Sequence, residues 1–116
     1  MGKAGRMRCP FAHELVLIIE PDVDVAAVGA AITVALCGHW EHEPPCPLAP
    51  HHTSAARVGG EVQVRTLFVV DPAREREIRR HIESAVADGT PWRVVRSGAS
   101  TVLPEETDHV LRLAEN

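Results

Sequence analysis

Apolar positions recur along the chain with three different rhythms, and each rhythm predicts a kind of element. From His13 to Glu20 the residues Leu15, Val16, Leu17, Ile18 and Ile19 are apolar in unbroken succession, which covers both faces of an extended segment and reads as a buried strand. Pro21, Asp22 and Asp24 end it. From about Asp22 to Cys37 the rhythm becomes helical. Val25, Val28, Ile32, Ala35 and Leu36 recur at three- and four-residue spacing, with Asp22 or Asp24 as N-cap and Gly38 just past the end. Gly29, Ala30 and Ala31 would let this helix lie close to a sheet.

Segments 51–58 and 61–70 flank Gly59-Gly60, a pair able to take the positive φ angles of a tight turn, so they read as a β-hairpin. In its second strand Val62, Val64, Phe68 and Val70 share one face. Asp71-Pro72 then supplies an N-cap and a first helical residue. Ile78, Ile82, Ala85 and Val86 form the apolar stripe of a second helix that Gly89 ends, with Glu75 and Arg79 one turn apart on its solvated side. Trp92 to Ser97 reads as a fourth strand. The segment from Pro104, with Val110, Leu111 and Leu113, suits helix or strand.

Strand, helix, hairpin, helix, strand is the βαββαβ order of a ferredoxin-like sandwich: an α+β fold with a four-stranded antiparallel sheet, two helices on one face, and here an added C-terminal segment. The name describes an order of elements. At 116 residues and 45 % hydrophobic content, the expectation is one domain spanning 1–116.

Charge narrows the partners. The net charge is −4 with histidines neutral, and the charged fraction of 24 % is ordinary, which argues against nucleic acid. Arg74, Arg76, Arg79 and Arg80 alternate with Glu75, Glu77 and Glu83, as on a solvated helix face. The longest apolar run, Leu15 to Ile19, is too short to cross a bilayer, and the basic start of the chain is not followed by a secretory apolar segment. The expectation is a soluble, cytoplasmic protein without membrane partners. Its three cysteines, an odd number, do not form a disulfide framework and would be free for metal or redox chemistry.

Their placement is what stands out. Of ten Cys and His residues, six (Cys37, His39, His42, Cys46, His51 and His52) fall within sixteen consecutive positions. The connection 38–50 between the first helix and the hairpin is rich in Pro, His and Cys and long for a tight fold. Pro44, Pro45, Pro47 and Pro50 restrict its backbone, so it loses less freedom when it closes on an ion. Thiolate and imidazole are the donors preferred by divalent transition metals, zinc foremost, and four complete a tetrahedral structural site. Cys37 in the last helical turn meets a partial negative charge that favours a cation. The expected set is Cys37, His39, Cys46 and one of His51 or His52, because neighbours on a strand face opposite ways, with His42 as the spare.

Other readings of the same segment are an interaction or regulatory module with a structural loop, a small metal-dependent enzyme, and a haem protein using Cys9-Pro10 or Cys46-Pro47. Proton transfer by His39 or His42 with Glu41 or Glu43 is a further one. Trp40 would cover either a site or the open end of the core. His13, His81 and His109 stand alone and read as surface or strand-end residues. The strands carry apolar residues on both faces, so the face away from the helices must be covered. The expected cover is a second subunit, making a homodimer through the sheet face, with the Val110 to Leu113 segment as the alternative.

Overall fold

The computed structural model describes residues 8–37, 50–87 and 92–114. Four strands, β1 (Cys9–Ile19), β2 (His51–Val58), β3 (Glu61–Val70) and β4 (Trp92–Ser100), form an antiparallel sheet in the order β2-β3-β1-β4. Helix α1 (Ala26–Cys37) joins β1 to β2, α2 (Glu75–Ala87) joins β3 to β4, and α3 (Thr107–Ala114) follows β4. The protein is thus of the mixed α+β class. β1 and β2 run parallel with β3 between them, and β3 and β4 run parallel with β1 between them.

The hairpin bounds agree with the periodicity. Gly59 adopts a φ of 63° at the turn, while Gly60 stays at negative φ. β1 begins four residues earlier than the apolar run implies, because Cys9, Pro10 and Phe11 pair with Val70, Val69 and Phe68 across the sheet. β4 likewise runs on to Ser100, with a bulge at Val95 where Val16 pairs with Arg96 but Leu17 with Val94. Asp24 is the aspartate that caps α1, its Oδ1 accepting from the Ala26 N–H at 2.9 Å. Asp71 does the same for Ala73 at 2.9 Å, opening a 3₁₀ turn over Pro72–Arg74 before α2. The helix stops expected at Gly38 and Gly89 lie outside the described residues.

Two cores flank the sheet. The larger holds Leu15, Leu17 and Ile19 of β1 and Val62, Val64, Phe68 and Val70 of β3, packed against Val28, Ile32 and Leu36 of α1 and Ile78, Ile82 and Val86 of α2. Each such side chain, fully removed from water, contributes about 1.5–3 kcal/mol. The smaller core lies on the opposite face, where Val110 and Leu113 of α3 cover Ala12, Leu67 and Val69. The C-terminal segment is therefore a helix that folds across one end of that face. Ile18 and Val95 remain 40 % and 42 % exposed elsewhere.

α3 is tied down by charge as well as by apolar packing. Arg65 of β3 reaches across this face to Glu106 in the 3₁₀ turn Pro104–Glu106, with Nε to Oε2 at 2.7 Å and Nη2 to Oε1 at 2.8 Å. It also donates to Glu14 at 2.7 Å, to Ser100 at 2.9 Å, and to the Thr101 carbonyl. Hydrogen bonding from Arg65 holds the Glu106 carboxyl below its ordinary range. Arg8 adds a bond to the Ala114 carbonyl at 2.6 Å. None of the described helices is long and apolar enough to cross a membrane.

Candidate functional site

The six candidate metal ligands are distributed by the ends of α1 and β2. Cys37 is the last residue of α1, and His51 and His52 are the first two of β2, so the connection that carries the others begins and ends on these elements. His39, His42 and Cys46, with Trp40, lie outside the described residues. The alternation expected of a strand separates the two histidines. His51 pairs with Phe68 on the face packed by α1 and α2, where its Nε2 lies 3.3 Å from the Thr33 hydroxyl of α1. His52 pairs with Leu67 on the opposite face, and its ring meets that of His109 on α3, centroids 4.2 Å apart and planes inclined at 48°. Loss of hydration, then the His109 charge, lowers the His52 pKa from 6.5, which favours its neutral, lone-pair-bearing form.

His109 is thus not the isolated surface residue that its sequence context implies. No local signal marks the pair. The two rings are brought together by β2–β3 pairing and by the docking of α3, both long-range events. Among the described residues there is no group of three or more His, Cys, Asp or Glu able to hold a metal ion.

A second polar cluster was equally hidden in the sequence. His13, read there as a strand-end residue, is 2 % exposed and lies on the helix side of β1. Arg79, expected on the solvated side of α2, instead turns back under the sheet. Its guanidinium donates to His13 Nδ1 at 2.9 Å, to the Ala12 carbonyl at 2.8 Å and, through Nε, to the Glu75 carboxylate at 2.8 Å. It stacks over Phe68 and Phe11, 5.3 and 5.9 Å from their ring centroids. Because Arg79 carries only donors, Nδ1 must accept, and the imidazole hydrogen sits on Nε2. Nε2 lies 2.9 Å from Ser97 Oγ, which passes its own hydrogen to Glu83.

That polarity decides what the cluster can do. An imidazole that donates to a serine cannot take the serine's proton, so His13 does not activate Ser97 as a nucleophile. Burial first, and then the Arg79 charge, hold the His13 pKa below 6.5 against the opposing pull of Glu83. The cluster is a satisfied, neutral-histidine brace between β1, α2 and β4. On the opposite face a shallow hollow of about 330 Å³ runs along β1 to β3, but its Arg65 is already committed to Glu14 and Glu106. Cys9, half-buried at the start of β1, is a free thiol. Comparison with known proteins gives no match: no family model fits the chain, and neither a curated protein nor a solved structure matches it.

Proposed function

We propose that this is a small, cytoplasmic transition-metal-binding protein, in which the segment from Cys37 to His52 supplies thiolate and imidazole donors to a divalent ion, zinc before others. The observation that carries the reading is the density of six Cys and His residues in sixteen positions of a proline-rich connection. The surrounding fold supports it. α1 and β2 pack against each other, so a connection beginning at Cys37 and ending at His51-His52 has both ends anchored on neighbouring elements. His51 faces the side of the sheet on which α1 packs and Cys37 ends that helix, which favours His51 over His52 as the strand's donor. The two split crossovers, β1-α1-β2 around β3 and β3-α2-β4 around β1, support the ferredoxin-like reading of the scaffold.

In a site of this kind the thiols bind as thiolates and the imidazoles neutral, so affinity falls as pH drops below about 6. Titration of the reduced full chain with Co²⁺ is expected to raise thiolate-to-metal absorbance up to one equivalent, and Zn²⁺ is expected to abolish it. The variant Cys37→Ser, Cys46→Ser should give neither change. A wild-type spectrum that stays flat would remove the metal reading and leave the interaction module.

A homodimer through the part of the sheet face that α3 leaves open belongs to the same proposal, supported by the exposure of Ile18 and Val95. Light scattering at micromolar concentration should give about twice the 12.6 kDa chain mass, and a strictly monomeric mass would assign the whole cover to α3.

A further inference from the structure

We propose that His52 and His109 together form a two-imidazole binding site for a divalent transition metal, one that staples α3 to β2 on the sheet face away from α1 and α2. The proposal rests on the metal-binding reading above for its ligand class only: the pair is a site separate from the Cys37 and Cys46 thiolates, with His109 lying 57 residues beyond His52 along the chain.

The two imidazoles are in ring contact. The ring centroids are 4.2 Å apart at 48°, and among the described residues neither ring is engaged in a hydrogen bond. An ion about 2.0–2.1 Å from one nitrogen of each ring, at a near-tetrahedral angle, sets the centroids about 5 Å apart. The rings therefore need to open by roughly an ångström, within reach of small χ rotations on a strand and a helix that are otherwise held.

Leu67, Val110 and Leu113 form an apolar floor beside the pair. Glu106, one turn before His109, is near enough to feel its charge, but both its oxygens are bonded to Arg65, which leaves the two imidazoles as the donors. Imidazole pairs of this kind take Zn²⁺, Ni²⁺ or Cu²⁺, with water in the remaining positions.

The test is titration of the full chain, free of any affinity tag, with Ni²⁺ alone, following the histidine ring signals by NMR. Substoichiometric Ni²⁺ is expected to broaden the His52 and His109 signals together, ahead of those of His13 and His81. His109→Ala should weaken the affinity read at His52 at least tenfold, and Cys37→Ser, Cys46→Ser should leave the paired broadening in place. Should His52 respond while His109 does not, or should His109→Ala bind as wild type does, the proposal is overturned while the Cys/His-rich segment keeps its ion. Paired broadening in a protein whose thiols never respond to Co²⁺ would support this site and remove the other.

Discussion

Replacing Arg65 by Met is expected to destabilise the protein by about 2–4 kcal/mol and to release α3 from the sheet. Both Arg65 and Glu106 are more than four-fifths buried, and removing one member of such a pair leaves the other charged and unpaired. Complete burial would cost more, so the residual exposure places the effect below the top of the usual range. The change also strips Glu14, Ser100 and the Thr101 carbonyl of a donor. Urea unfolding measures the loss, and limited proteolysis should cut near residue 107 in the variant before wild type is touched. Glu106→Gln, which keeps hydrogen-bonding capacity without the charge, should cost less. A loss under about 1 kcal/mol for Arg65→Met would mean that the apolar contacts of Val110 and Leu113 hold α3 unaided.

His13→Ala should cost a similar amount, about 2–4 kcal/mol, because it empties a buried ring site and leaves an Arg79 N–H and Ser97 without their partner. It should also alter the response to acid. The folded pKa of His13 lies below its unfolded value of 6.5, so below that pH the unfolded chain takes up a proton that the native state refuses. Stability from this group is complete above about pH 6.5 and is lost as pH falls towards the folded pKa. Glu106, lowered from 4.5, contributes the same kind of loss only at more acid pH, so the two windows are separable. Urea midpoints at pH 7.5 and 5.5 test this. Wild type should weaken between them, and His13→Gln, which cannot protonate, should weaken less. Equal pH slopes for the two proteins would assign the loss to other groups.

The parts of this fold that were legible in the sequence are those specified by neighbours along the chain. The hairpin followed from Gly59-Gly60 between apolar runs, and α2 from Asp71-Pro72 and its stripe of Ile78, Ile82 and Val86. What stayed hidden depends on the sheet's cross-strand pairing. Cys9 to Phe11 extend β1 only because Val70 to Phe68 are there to pair with them. Arg79 sits four residues from Glu75 and looks like half of a surface ion pair, but its stem is long enough to reach the Phe11 and Phe68 rings and His13. The apolar residues Val110 and Leu113 suited either element until Ala12, Leu67 and Val69 gave them a partner face. Of the candidate metal ligands, composition identified the segment, while the split of His51 from His52 follows from strand alternation and the His52–His109 pair from tertiary docking.

Metal content decides whether the Cys37–His52 segment is a transition-metal site as proposed. Protein purified under reducing conditions, without chelator or affinity tag, should carry close to one equivalent of zinc or a similar divalent ion per chain by elemental analysis, and the Cys37→Ser, Cys46→Ser variant should carry a small fraction of that. Equal and negligible metal in the two proteins would mean that the segment is not a metal site.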